Sequence, residues 1–336
     1  MRVNIATMEP EPETQVSDRQ SWLAQRRGGI GGSDAATIHG ASPFQTAYQL
    51  WLDKTGRVAP EDEDPIKTPH LFWGAVLEAG VREGYAKLTG RTVGPGVKLL
   101  RHPGCEAMLA NTDGTVTTEG QIIVELDDGV VVEREAPGEG VYEGKLTTLF
   151  RRQEWEAGIP LYYVVQCQHY CAVTGHQWAS LGVFIAGERQ PLRARDMLRH
   201  ESFISKHVNM CGEWWERHVV KDEPPPLDDR KRTESMIRRA YPDATPKLIA
   251  QLDEAFAAKQ RRLSEVESAI KKLEAERQQI RNEVMAAIGE ASAGALPDGS
   301  GWTFKTQTTA GYTKTVPPNT YRVLRYSKRV SKTEEA

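Results

Sequence analysis

Glu143 and Lys145 stand two positions apart in VYEGKLTT, a segment whose composition suits a β-strand. Side chains alternate along a strand, so the carboxylate and the amine share one face. The carboxylate can hold a divalent cation. The amine can position or deprotonate a water, or steady the charge on a phosphate. Alone the pattern is ordinary: Asp229 and Lys231 repeat it in a charged stretch, and an exposed pair of this kind is a solvated ion pair. Other groups stand around it in the chain. Asp113 in NTDGTV ends one predicted strand before Gly114 turns the chain, where a plain Asx-Gly turn is the alternative. Glu78 in WGAVLEAG interrupts an apolar helical segment, so it sits either at a solvent edge or toward a site. Gln166 lies in the apolar run YYVVQCQHY, where a buried amide needs partners.

A second constellation is RRGGIGGSDAATIHG, which sets Arg26 and Arg27 beside four glycines and Ser33. It lacks the GxxxxGK[ST] of a nucleoside-triphosphate loop and the GxGxxG of a dinucleotide fold. One reading is a glycine-rich turn before a helix capped by Ser33. The other is a phosphate seat, built from Ser33, the free N–H groups of the helix start and an arginine.

The elements that must position these groups follow from periodicity. Helices are predicted over Ser33–His39, TAYQLWLDKTG and HLFWGAVLEAGVREGYAKLTG, the last capped by Gly90. Strand-like segments run from TVGPGVKLLRH through CEAMLANTDGTVT, QIIVEL and VVVERE to VYEGKLTT, with DDG as a hairpin turn. YYVVQCQHYCAVTG reads as a helix, WASLGVFIAG as a buried strand and ESFISKHVNMCGEWWERHVV as an amphipathic helix, giving an α/β layered core. Trp214 and Trp215 are expected to pack the last of these onto the core. Residues 1–18 read as a tail, 19–226 as the dense domain and the proline-containing 227–247 as a linker. A heptad-patterned helix follows over 248–290, then a β-hairpin and basic aromatic tail over 291–336.

Composition narrows the classes. The chain has 336 residues, 39% hydrophobic and 26% charged, with a net charge of -3, so any polyanion site must be local. No window has the length of a membrane span, no signal-peptide core opens the chain, and a cytoplasmic protein is expected. Cys105, Cys167, Cys171 and Cys211 are scattered and contain no CxxC, which favours reduced buried thiols over a metal or iron–sulfur site. His39, His169 and His176 have no ligand spacing and read as structural.

Taken in order, WLAQRRGGIGGSDAA, WGAVLEAG, NTDG, YEGKL and YVVQCQHYCAVTG resemble the YqaJ-like viral recombinase family of the PD-(D/E)xK nuclease superfamily. The resemblance implies a restriction-endonuclease-like core with a central mixed sheet flanked by helices. It implies Asp113, Glu143 and the Gly144 carbonyl as metal ligands, with Glu78 completing the site. Lys145 would orient or activate water, and Gln166 would support Lys145 and the scissile phosphate. An all-oxygen set suits Mg²⁺, with Mn²⁺ a possible substitute, and no iron–sulfur cluster is expected. Arg26 and Ser33, with Arg27 as the neighbouring candidate, would hold a DNA 5′-phosphate. The implied function is a 5′-to-3′ exonuclease on linear duplex ends, homo-oligomeric, working with a single-strand annealing protein. A nicking or structure-specific endonuclease, and a non-catalytic end-binding or coiled-coil protein, are the alternatives. Two departures stand out: Thr112 replaces the motif proline, and QIIVELDDGVVVERE separates Asp113 from Glu143. Glu133 and Glu135 in that insertion compete for the ligand role, but only Glu143 has a lysine two residues on.

Overall fold

The computed structural model describes residues 24–58, 68–125, 131–156, 158–246 and 248–311, with positions 324, 326 and 327. It divides into two compact units, residues 1–241 and 242–336.

In the first unit, helices α1 (Gly32–Ile38), α2 (Ala47–Lys54) and α3 (Pro69–Thr89) precede strands β1 (Thr92–Gly94), β2 (Leu100–His102), β3 (Cys105–Ala110) and β4 (Gly114–Thr117). Strands β5 (Gln121–Glu125), β6 (Val131–Glu135) and β7 (Gly140–Thr148) follow, then a 3₁₀ turn over Leu149–Trp155. Helix α4 (Leu161–Thr174), strands β8 (Trp178–Ala186) and β9 (Leu192–Leu198), and helices α5 (Glu201–Trp215) and α6 (Lys231–Ala240) complete it. Seven strands form one mixed sheet in the order β1-β4-β7-β8-β9-β5-β6, while β2 and β3 pair separately. The β7–β8 pair is parallel and its flanking pairs are antiparallel.

The alternation of β7 and β8 sorts the core into two layers. Val141, Leu181, Val183 and Ile185 join Cys167, Tyr170 and Cys171 of α4 and Ile204 and Cys211 of α5 in one cluster. Tyr142 and Trp178, one register position away, join Tyr85 of α3 with Val116 and Ile122 in another. Trp214 is buried in the first cluster and Trp215 packs against it. Gly90, at φ 69°, ends α3 in the left-handed conformation expected of a glycine cap.

Two expectations change, and the structure places the QIIVELDDGVVVERE insertion away from the strands that carry Asp113 and Glu143. Its strands β5 and β6 dock at the opposite edge, beside β9, and β4 pairs directly with β7. Ser33 is not the cap of α1: Gly31 is, and Asp34 accepts a hydrogen bond from its N–H at 2.9 Å. The stretch read as a linker contains α6. There Arg230 donates to the Ser42 carbonyl, Thr233 bonds Thr46, and Met236 and Ile237 pack on the core.

The second unit contains helix α7 (Glu254–Ile288) and a hairpin of β10 (Ala293–Ala295) and β11 (Gly301–Thr303). The helix starts six residues later than the heptad pattern suggested, because Asp253 caps it by accepting from the Phe256 N–H. The hairpin runs from Ala293 to Thr303. Its turn is LPDGS, where Gly299 has φ 85° and Asp298 accepts from the Ser300 backbone and hydroxyl. Most of the predicted basic tail, residues 312–323, 325 and 328–336, lies outside the described residues.

Candidate active site

The β4–β7 pairing sets Gly114 against Tyr142, which brings Asp113, just before β4, to the middle of β7. The Gly144 N–H donates to Asp113 Oδ2 at 2.9 Å, so the two elements that carry carboxylates are pinned by a backbone hydrogen bond. Glu143 and Lys145 lie on the β7 face covered by α4, as period two requires. Lys145 Nζ sits 2.5 Å from Glu143 Oε1 and 5.1 Å from the Tyr163 ring centroid. Gln166 on α4 donates to the same Glu143 Oε1 at 2.6 Å and contacts the Tyr170 hydroxyl at 3.1 Å. Gln166 thus braces the carboxylate, where direct support of Lys145 was expected.

Glu143 is 2% exposed, and its second oxygen, Oε2, is buried with no hydrogen-bond partner. Burial first, and then the Asp113 charge, raise its pKa to about 8 despite the opposing pull of Lys145. Glu78, on the exposed face of α3, is also raised, by desolvation and again by Asp113. For Lys145, burial opposes the charged form, but the Glu143 carboxylate outweighs it and raises the pKa. The amine is therefore held as an ammonium.

Two carboxyls raised by burial and by the neighbouring Asp113 charge, together with an orphaned buried carboxylate oxygen, are the condition that a bound cation relieves. The donors are all oxygens, which fits Mg²⁺ or Mn²⁺. The residues present therefore fit a hard divalent cation.

A cleft of about 500 Å³ joins this cluster to the glycine-rich segment. Glu78, Asp113 and Gln166 line it, together with Arg26, Ser33, Lys98, Asn111 and Tyr170. Arg26 Nη2 donates to Ser33 Oγ at 2.7 Å, so these two predicted phosphate ligands sit side by side at the wall. Arg27 does not join them: it is directed to Asp53 at 3.2 Å and to the Val58 carbonyl at 2.7 Å. Glu133 and Glu135, the competing acids, are exposed on the sheet-edge strand β6.

Packing explains two of the four glycines, Gly29 and Gly32. Ile30 is fully buried and bridges Met108, with its N–H on the Ala107 carbonyl. A Cβ on Gly29 would lie 2.5 Å from Leu109, and one on Gly32 2.5 Å from the Tyr170 ring. The loop therefore lies against β3 and α4, at a spacing only glycine permits. Behind it Lys54 pairs with Asp34 at 2.7 Å, both nearly buried.

Lys98 and Asn111 escaped the sequence reading because isolated polar residues in a strand-rich stretch have no pattern. A second group it did not assemble is a chain of three imidazoles, His169 and His207 buried and His39 half-buried. His39 Nε2 contacts His207 Nδ1 at 2.8 Å, and His207 Nε2 contacts His169 Nδ1 at 2.9 Å. His169 Nε2 donates to the Leu109 carbonyl at 2.9 Å. One proton on each Nε2 satisfies every link, and burial lowers the His169 pKa to about 4 and the His207 pKa to about 2. Cys211 Sγ lies 3.6 Å from His207. The chain is neutral core packing that ties α5 and α4 to β3.

A mixed sheet flanked by helices, with carboxylates and a lysine meeting at the middle of its central strand β7, defines a restriction-endonuclease-like α/β core. Residues 21–177 match the model of the YqaJ-like viral recombinase domain. The uncharacterized protein YqaJ of Bacillus subtilis (strain 168) is 28% identical over 279 residues, covering 82% of this chain and 80% of its own. Among solved structures, the alkaline exonuclease LHK-Exo from Laribacter hongkongensis aligns with a TM-score of 0.43 and 17% identity. That alignment covers 66% of this chain and 97% of the enzyme. A phage related exonuclease from Haemophilus somnus 129PT aligns at 0.34 and 12%, over 58% and 96%. Among the described residues, no helix is long and apolar enough to cross a membrane.

Proposed function

We propose that the chain is a divalent-metal-dependent deoxyribonuclease that degrades linear duplex DNA from a 5′ end and leaves a single-stranded tail. The observation that carries the reading is the orphaned Glu143 Oε2, buried beside Asp113 next to a cleft that also holds Arg26 and Ser33. Asp113, Glu143 and the Gly144 carbonyl would hold the cation, with Glu78 at the rim. When bound, the cation supplies Lewis-acid charge for phosphodiester hydrolysis.

The protein's own groups do the rest. Lys145, held as an ammonium, orients the attacking water and stabilises charge gathering on the phosphate; it does not take a proton. Gln166 and Lys145 both bind Glu143 Oε1, which fixes the rotamer and turns Oε2 outward from that pair. Arg26 and Ser33 receive the 5′-phosphate and set the end's distance from the carboxylates. The match of residues 21–177 to a viral recombinase domain supports a nuclease that prepares DNA ends for annealing, with a single-strand annealing protein as its partner.

The test is incubation with end-labelled linear duplex, with and without 5′-phosphate, and with supercoiled circles, in Mg²⁺ or EDTA. Loss of linear DNA alone, faster with a 5′-phosphate and absent in EDTA, is expected. Nicked circles would replace this reading with an endonuclease, and no cleavage in any metal would remove it.

A further inference from the structure

Thr112 stands where the superfamily motif has proline, and it is buried. It grips the loop between β1 and β2 through two bonds. The Thr112 N–H donates to the Val97 carbonyl at 3.1 Å, and Thr112 Oγ1 accepts from the Val97 N–H at 3.0 Å. A proline could make neither. Beside it, Asn111 Oδ1 accepts from the Leu99 N–H at 3.0 Å. A Cβ on Gly96 would lie 1.9 Å from the Thr112 carbonyl oxygen, so the loop rests directly on the turn that leads to Asp113.

Between the two pinned residues is Lys98. Val97 packs on the main core cluster, whereas Lys98 is exposed and lines the cleft. Leu99 follows at φ 52°, a left-handed backbone that a leucine keeps only where its surroundings impose it. The bonds to Val97 and Leu99 supply that constraint on either side of Lys98. An exposed lysine on a surface loop is ordinarily solvated and needs neither a strained neighbour nor two side-chain pins. The Lys98 charge also acts on Glu78, opposing the rise that burial and Asp113 impose. Of the cleft's lining residues, Arg26 and Lys98 are the two cations, and they come from different elements. Arg26 is bonded to Ser33, at the seat assigned to the 5′-phosphate. A DNA strand drawn into this cleft brings further phosphates, and a lysine meets them as a point charge without reading sequence.

We propose that Lys98 binds an internal backbone phosphate of the DNA strand held in the cleft, and that Thr112 and Asn111 are positioning residues that hold its loop in place. This rests on the nuclease reading given above.

The test measures binding of a 5′-phosphorylated duplex to the full chain in EDTA over a range of salt concentrations, beside steady-state cleavage in Mg²⁺. Lys98→Gln should make the slope of log affinity against log salt shallower by about 1 and raise KM about fivefold. The rate ratio of phosphorylated to hydroxyl 5′ ends should keep its wild-type value, since Arg26 and Ser33 are untouched. Lys98→Arg should restore the slope, which counts charge. Thr112→Val, which removes the hydroxyl, should move slope and KM in the same direction as Lys98→Gln, and Thr112→Ser should restore both. Added to Lys98→Gln, Thr112→Val should raise KM no further, because it acts through Lys98. A Lys98→Gln chain with the wild-type slope and KM overturns the inference and leaves the nuclease reading standing. So does one that loses the 5′-phosphate ratio, which would place Lys98 in the end seat. A wild-type chain that neither binds nor cleaves DNA overturns both.

Discussion

Glu143 makes divalent-cation binding a proton-linked event. With its pKa at about 8, the carboxyl is mostly protonated at neutral pH, and a cation must displace that proton to reach Oε2. Each pH unit below 8 therefore costs about 1.4 kcal/mol, a tenfold loss of apparent affinity. From pH 8 to pH 6 the loss is about a hundredfold. Above pH 8 the affinity should level off. The assay is calorimetric titration with Mn²⁺ at pH 6, 7, 8 and 9, repeated in two buffers of different ionisation enthalpy to count the released proton. Glu143→Gln should bind weakly and without this slope, since an amide does not titrate. Wild-type affinity unchanged within about twofold between pH 6 and pH 8 would refute the reasoning, because the buried carboxyl would then already be ionised. Stability without the cation should move the opposite way. The folded chain keeps a proton that the unfolded chain has lost above the ordinary value of 4.5. The contribution of Glu143 is thus full below 4.5 and is lost as pH rises through about 8.

Lys145→Ala should slow cleavage about a thousandfold while leaving duplex binding in EDTA largely intact, as gel shift and single-turnover cleavage would show. Arg26→Ala and Ser33→Ala should erase the preference for phosphorylated ends, measured as the rate ratio of phosphorylated to hydroxyl 5′ ends. Arg27→Ala should retain that ratio, because its guanidinium serves Asp53 and Val58. Gly32→Ala should cost about 1–3 kcal/mol in a denaturant melt, since its Cβ would meet the Tyr170 ring at 2.5 Å.

Periodicity and residue type alone determined a good deal. The amphipathic or apolar runs that became α3, α4 and α5 are long enough for the 3.6-residue repeat to declare itself, and Gly90 marked an end. The shared face of Glu143 and Lys145 follows from strand alternation, whatever the sheet around it. The heptad seam of α7 is likewise a local property. What local pattern could not carry was partner choice at a distance. That β4 pairs with β7 while the β5–β6 hairpin crosses to β9 depends on contacts between residues up to about 70 positions apart, and a hairpin signal says nothing of where the hairpin docks. For the same reason residue type and spacing treated Arg26 and Arg27 alike, and only the family resemblance favoured Arg26. The tertiary structure, in which Asp53 and Val58 claim one and the cleft wall holds the other, gives two adjacent arginines of identical chemistry different partners. It also decided that Gly29 and Gly32 are there to let Ile30 and α1 press against β3 and α4. Close approach is a relation between two elements, and a sequence states only one of them at a time.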